Sequence, residues 1–342
     1  MADAGRANTH TGTLSCTVAI CTAGRVDTVT AGFARLAPVV APGTEVLVVN
    51  NGPRADHRAL CIGAASAFGG TGIRWEVLQE DRAGVSWARN RVLEHARTDV
   101  VTYLDDDASP VDSGWQSSML RVLADRADVA MVTGPVLMVP PWGPGGYPPR
   151  WRSARTDGLL SCGGEDQATG YCHPTAVYGG NVAYRRDVIG NLRFDTELGW
   201  RRGQRRALAG EETLLNMQLA ATGVRAWFEA TAPVHHFVAL ERMSVGWMLR
   251  RAFALGQTQG QLAQWGQLLL HDAPGARIRA ARLLAMASAK GAIRLGQGRI
   301  DRAFANLCDV ALASGWLLAP RPSLSVAPMA GYSGPPPSTP DR

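Results

Sequence analysis

No hydrophobic stretch in this chain of 342 residues is long enough to span a bilayer, no two cysteines form a CxxC pair, and no run of Lys and Arg is interleaved with aromatics. A spanning helix needs about 20 consecutive apolar residues, so the first absence excludes one. The six cysteines (16, 21, 61, 162, 172 and 308) lack the spacing of a disulfide framework, and the chain opens without a signal-peptide pattern. A cytoplasmic protein, at most peripheral at the inner face of a membrane, is the expectation. Cys162, Cys172 and His173 have no fourth ligand at useful spacing, which leaves them short of a zinc site. The missing basic–aromatic block argues against nucleic acid, and the net charge of +6 suits a phosphate-bearing ligand or an anionic membrane surface. Gly69, Gly70 and Gly72 do not form a dinucleotide-binding fingerprint after a strand and read as a loop.

What is present is an ordinary globular composition, 46% hydrophobic and 19% charged, in a chain long enough for one large domain or two modest ones. Residues 1–13 and 320–342 have little to bury and are expected to be disordered, the tail carrying Ser-Gly-Pro-Pro-Pro-Ser-Thr-Pro. Between them, apolar runs at 14–21, 45–50, 73–78 and 100–104 predict strands buried on both faces. Helical periodicity at 26–37, 55–67, 84–97 and 112–125 predicts the helices between them. Repeated βα units imply a Rossmann-like, mostly parallel, doubly wound α/β sheet that gathers ligands at the C-terminal ends of its strands.

The pattern breaks near Pro140. Residues 140–176 are rich in Pro, Gly and Trp and predict a long loop, whose Trp142, Tyr147 and Trp151 suit sugar rings or lipid tails, or plain packing against the sheet. A strand at 176–184, a helix near 208–222 and a strand at 226–229 follow. Pro233-Val-His-His then leads into helices at about 244–267, 274–297 and 299–316. The chain therefore divides into a main domain at 14–240, in halves 14–136 and 137–240, and a C-terminal helical extension at 241–319.

Four features carry chemistry. Asp105-Asp106-Asp107 end the apolar run Val100–Leu104. Adjacent carboxylates repel, and a divalent cation is the usual relief, although a solvated acidic turn would look the same. Strand alternation, continued through the triplet, would send Asp105 and Asp107 to one face and Asp106 to the other. Asn50-Asn51-Gly52 ends another strand with amides able to hydrogen-bond a nucleobase edge. Gly84-x-Ser86-x-Ala88-Arg89-Asn90 opens a helix, where Arg89 could pair with a phosphate. Gly210-Glu211-Glu212 starts a later helix, ahead of His235-His236.

Together these residues resemble the family-2 glycosyltransferases of the GT-A fold. The resemblance runs from about Leu14 to Gly260 through Val18-Ala-Ile-Cys-Thr, the amide turn, Gly84-x-Ser-x-Ala-Arg-Asn, Leu104-Asp-Asp-Asp, Gly179-Gly-Asn-x-Ala-Tyr-Arg-Arg, Phe194-Asp-x-x-Leu-Gly, Gly210-Glu-Glu-Thr and Val234-His-His. It implies a metal-dependent, inverting transfer from a nucleotide-diphospho-sugar donor to a carbohydrate, lipid-linked or small-molecule acceptor. Asp105 and Asp107 would hold Mg²⁺ or Mn²⁺ with His236, or with His235 in its place. Glu212 would be the base, with Glu211 orienting the loop or binding the acceptor. Thr22, Asn50, Asn51, Arg89, Asp105, Asp106, Gly180 and Asn181 would contact the donor, in the half at 14–136 and its border with the acceptor half.

Two positions depart from the family pattern: many members carry Asp at the position of Asn50 and at that of Glu212. These departures motivate an alternative, a GT-A protein that binds a glycan or partner without catalysis. A sugar-1-phosphate nucleotidyltransferase would need a Gly-rich basic loop after the first strand, and Cys21-Thr-Ala-Gly-Arg-Val is a poor one. The C-terminal helices carry Arg250, Arg251, Arg277, Arg279, Arg282, Lys290, Arg294, Arg299 and Arg302 among apolar residues. That pattern fits a surface touching anionic lipid, or a solvated face of a helical subdomain. Trp247, Phe253 and Trp265 are expected in the core or the acceptor cleft.

Overall fold

The computed structural model describes residues 14–24, 26–142, 151–199, 209–269 and 276–319, excepting the side chains of 154, 155, 264–269, 276 and 277. The two chain ends, Tyr147, and the side chains of Trp265 and Arg277 lie outside the described residues. Among the described residues the strands are β1 (Cys16–Thr22), β2 (Glu45–Asn50), β3 (Arg74–Gln79), β4 (Val100–Leu104), β5 (Ala108–Pro110), β6 (Val129–Thr133), β7 (Val136–Val139), β8 (Gly170–Cys172), β9 (Asn181–Arg185), β10 (Arg225–Phe228) and β11 (Val234–Phe237). The α-helices are α1 (Val26–Leu36), α2 (His57–Phe68), α3 (Val85–His95), α4 (Gly114–Asp125), α5 (Ala154–Asp157), α6 (Arg186–Ile189), α7 (Glu211–Ala221), α8 (Val245–Leu269), α9 (Ala276–Gly296) and α10 (Ile300–Leu317).

The main sheet runs β3-β2-β1-β4-β9-β6-β10-β8. Its first four strands are parallel, as the βα repeats predict, but β9 is antiparallel to both β4 and β6, and β8 to β10. Alternation divides β1 between two cores. Val18 and Ile20 join Phe33, Phe68 and Trp115 on one side, and Ala19 joins Val92, Tyr103 and Leu214 on the other. Both faces are thus covered, which is why these strands read as continuous apolar runs. The run at 73–78 differs: β3 is the sheet edge and alternates exposed with half-buried residues.

A second sheet, β5-β11-β7, has no counterpart in the sequence reading. β5 leaves the aspartate triplet directly and pairs antiparallel with β11, setting His236 opposite Ala108. The Phe237 amide then donates to the Asp107 carbonyl at 2.8 Å. Backbone pairing therefore brings the histidine to the aspartates across more than a hundred residues of sequence.

The third core joins Leu159, Leu160 and Cys162 to Met243, Met248, Phe304 and Cys308 of the C-terminal region. Trp142 and Trp151 pack against it, the Trp151 ring lying 5.0 Å from that of Phe304 between centroids. Packing thus accounts for these two aromatics. Trp247 packs there too.

Candidate active site

The C-terminal ends of β1, β2 and β4, the approach to β9, the start of α7 and the strand β11 converge on one cleft of about 780 Å³. Asp105, Asp106 and Asp107 all line it. Alternation does not separate them, because the strand ends at Leu104 and the chain turns at once, the Ala108 amide donating to the Asp105 carbonyl at 3.0 Å. Each carboxylate has its own partner. Asp106 accepts from the Thr22 hydroxyl at 2.5 Å. Asp107 lies 3.3 Å from His236 Nε2 and 3.2 Å from the Arg242 guanidinium. Asp105 is 3.8 Å from Arg89.

Burial, then repulsion from Asp107, pushes Asp106 up to about 7. Asp105 is raised by burial against the pull of Arg89. For Asp107, burial is outweighed by the His236 hydrogen bond and the charges of His236 and Arg242, and its carboxyl is lowered. Burial opposes the charged form of His236, but its bonds to Asp107 and Cys162 win and raise it to about 10. The Cys162 thiol lies 3.5 Å from His236 Nδ1, whereas Cys172 sits in β8 opposite Ala226. His235, the neighbouring histidine, is not among the cleft-lining residues.

Next to Asp105, Arg89, only 6% exposed, donates to Glu211 Oε1 at 2.8 Å and to the Gly179 carbonyl at 3.2 Å. It also lies 3.6 Å from Glu212. A phosphate partner was the expectation for Arg89; its guanidinium is instead committed to carboxylates inside the fold. Burial and the charge of Glu212 push buried Glu211 up to about 8, against Arg89. Glu212 is the more open of the pair and lines the cleft.

Close approach needs glycine at two places. A Cβ on Gly180 would overlap the Asp105 carboxylate, and one on Gly179 would stand 2.7 Å from Glu212 Cγ.

Two expected donor contacts turn inward. Asn50 is 1% exposed; its amide donates to Pro53 O and Gln79 Oε1, and its oxygen accepts from the Gly52 amide. Fully buried Asn181 ties Trp115 Nε1 to the carbonyls of Pro135 and Ala232. Both stabilise turns, because a buried amide must satisfy its own donors first. Asn51 lines the cleft but spends its side chain on Glu80 O, Arg82 O and the Gly84 amide, fixing the loop before α3.

Arg242 and Arg251 join the cleft from the C-terminal region. Sequence reading assigned Arg251 to a basic lipid-facing or solvated surface, yet it faces inward, its Nε donating to the Leu159 carbonyl at 3.3 Å. Position within an amphipathic helix gave no signal of this. Among the described residues, no group of three or more His, Cys, Asp or Glu side chains is gathered closely enough to hold a metal ion as it stands.

The family model "Glycosyl transferase family 2" matches residues 17–193, from β1 to just past α6. Among characterised proteins, the chain is 25% identical over 181 residues to the glucosyl-dolichyl phosphate glucuronosyltransferase of Haloferax volcanii, covering 53% of this chain and 56% of that protein. It is 32% identical over 184 residues to succinoglycan biosynthesis protein ExoM of Rhizobium meliloti, covering 53% of each. The chain spans about half the length of these relatives. Among solved structures, the mannosyltransferase PcManGT from Pyrobaculum calidifontis, in complex with GDP-Man and Mn²⁺, superposes with a TM-score of 0.58 at 19% identity, over 90% of this chain and 88% of that one. With the sheet order described above, this likeness identifies a GT-A fold followed by C-terminal helices.

Proposed function

This chain belongs to glycosyl transferase family 2, and from that premise we propose that it moves a sugar from a nucleotide-diphospho-sugar to an acceptor hydroxyl with inversion, using a divalent cation. The observation that carries this reading is the meeting, in one cleft, of three aspartates at the end of β4 with His236 on one side and Glu212 on the other.

The donor set fits Mg²⁺ or Mn²⁺. Carboxylate oxygens and one imidazole suit a hard cation, and burial, with repulsion among the carboxylates, raises Asp105 and Asp106, so a cation there would favour their ionised forms. Asp105, Asp107 and His236 would hold the ion once Arg242 releases Asp107. Bound there, such an ion would supply charge neutralisation for the departing nucleoside diphosphate. Arg242, freed, is placed to meet the same diphosphate, and the Thr22 hydroxyl holds Asp106 in the floor of the donor side. Glu212 takes the proton from the attacking hydroxyl, as a base open to the cleft should. The Arg89–Glu211 pair keeps Glu212 in position, and Gly179 leaves it room. Direct in-line attack by that hydroxyl inverts the anomeric carbon, so one base on the acceptor side suffices.

The roles of the relatives, in succinoglycan biosynthesis and on a dolichyl phosphate-linked sugar, favour a cell-envelope glycan or a lipid-linked acceptor over a small natural product. No helix of the described residues is long and apolar enough to cross a membrane. Peripheral contact at the inner face would use α9, which exposes Ile278, Met286 and Ile293 beside Arg282 and Lys290. Sedimentation with phosphatidylglycerol-containing vesicles but not with pure phosphatidylcholine would support this contact; equal sedimentation with both would remove it.

A panel of nucleotide sugars incubated with the protein and Mn²⁺ tests the main proposal. Metal-dependent release of nucleoside diphosphate from at least one donor is expected. No release, and no metal-dependent binding of any donor, would overturn it.

A further inference from the structure

The two arginines contributed by the C-terminal region divide the cleft between them. Arg242 acts on the aspartates: it lies 3.2 Å from Asp107, and its charge also bears on Asp106. Arg251, in α8, bears on Glu212 first, is repelled next by Arg242, and bears more weakly on Glu211, and none of the three aspartates is among the charges that act on it. α8 is tied to the segment that opens α7, the Ala209 amide donating to Thr258 Oγ1 at 3.1 Å, and this sets Arg251 toward the base side of the cleft.

Its charge is poorly compensated. One of its five N–H groups is used on the Leu159 carbonyl, and among the described residues no carboxylate lies within 4.0 Å of its guanidinium. Burial disfavours its charged form. Arg89, by contrast, has Glu211, Glu212 and Asp105 around it. An arginine stays charged at any working pH, so a partly buried one facing a cleft needs an anion, and its planar fork matches phosphate or carboxylate oxygens. Gly158 and Ser161, which flank Leu159 in sequence, and Gln259, two turns along α8, also line the cleft and are small or hydrogen-bonding groups.

We propose that Arg251 forms an anion subsite for the acceptor, so that the preferred acceptor carries a phosphate or carboxylate close to the hydroxyl presented to Glu212. This deepens the transferase reading and rests on its assignment of Glu212 to the acceptor side. The subsite selects the acceptor by charge, whereas Arg242 and the aspartates serve the donor.

The test uses inorganic phosphate as probe, with EDTA present so that no metal can hold phosphate at the aspartates. Phosphate should raise the melting temperature of the wild type, should raise that of Arg251→Lys less, and should leave that of Arg251→Met unmoved. Binding of UDP, GDP and dTDP with Mn²⁺ should be the same in all three proteins, which also reports that the variants are folded. Equal stabilisation of wild type and Arg251→Met by phosphate, or none in either, would overturn the subsite. Loss of Mn²⁺–nucleotide binding in folded Arg251→Met would also overturn it, by assigning Arg251 to the donor. If phosphate binding depends on Arg251 while no nucleotide binds with Mn²⁺, the donor reading fails and the subsite stands. Competition against phosphate by octyl phosphate and by glucose 6-phosphate separates a lipid-borne from a soluble source: stronger displacement by either supports the subsite and names the source. Displacement by neither would reduce it to a site for free anion and overturn the acceptor role.

Discussion

The floor of the cleft and the C-terminal helices achieve tight packing by opposite means. In the floor, buried polar groups are saturated by one another: Arg89 by Glu211, Thr22 by Asp106, Asn181 by Trp115 and two carbonyls. In the helical region, α8 and α10 approach so closely that a Cβ on Gly256 would overlap the Leu312 carbonyl, and one on Gly315 the Phe253 carbonyl. The first arrangement stores charge in fixed positions, which is what stabilising a charged transition state needs. The second is a backbone-to-backbone brace, and it carries Arg251 to the cleft while α9 stays largely exposed. The difference teaches where to cut: substitutions of the groups that face the cleft above this floor should change chemistry at little cost in fold, and brace substitutions the reverse.

Four substitutions press on that contrast. Glu212→Gln should have the largest effect, lowering turnover by about 100- to 10,000-fold while Mn²⁺–nucleotide binding is kept. Steady-state kinetics beside calorimetry checks this, and unchanged turnover would favour a binding module over an enzyme. Gly179→Ala, which crowds Glu212 without removing it, should lower kcat by roughly 100-fold, with thermal stability little changed. Gly315→Val should act on the other region, costing about 1–3 kcal/mol through overpacking. Urea denaturation would report it, with nucleotide binding retained by the folded fraction.

The smallest effect is one of pH. Glu211 is raised to about 8 in the fold, above its ordinary value of about 4.3. The folded state therefore holds a proton that the unfolded chain has lost. This contribution to stability is fully present below about pH 4.3 and disappears as pH rises through about 8. Glu211→Gln should flatten the fall in stability across that window, and an identical slope in both proteins would show that Glu211 is not raised.

Much of the floor was legible in the sequence because strands buried on both faces are uniformly apolar. β1, β2 and β4 and the helices α1 to α4 fall near the predicted runs. β7 and β11 were not legible. Val-Leu-Met-Val and Val-His-His-Phe do not alternate, and they become strands through pairing in a sheet that periodicity does not describe. For the site, motif order singled out the aspartates, Glu212 and His236, and these line one cleft. It did not show that Asn50, Asn181 and Arg89 have partners inside the fold, because spacing does not say which neighbour satisfies a buried polar group. Arg251 was hidden for a related reason: in a helix rich in arginine, only the packing of α8 against Leu159 decides which one turns inward.

The central claim is that the aspartate triplet is a metal-dependent donor site, and Asp107→Ala tests it most directly. Calorimetric titration of UDP, GDP and dTDP should give binding of at least one nucleotide to the wild type with Mn²⁺ and none with EDTA, and Asp107→Ala should lose that binding. Metal-independent binding, or binding that survives in Asp107→Ala, would contradict the account.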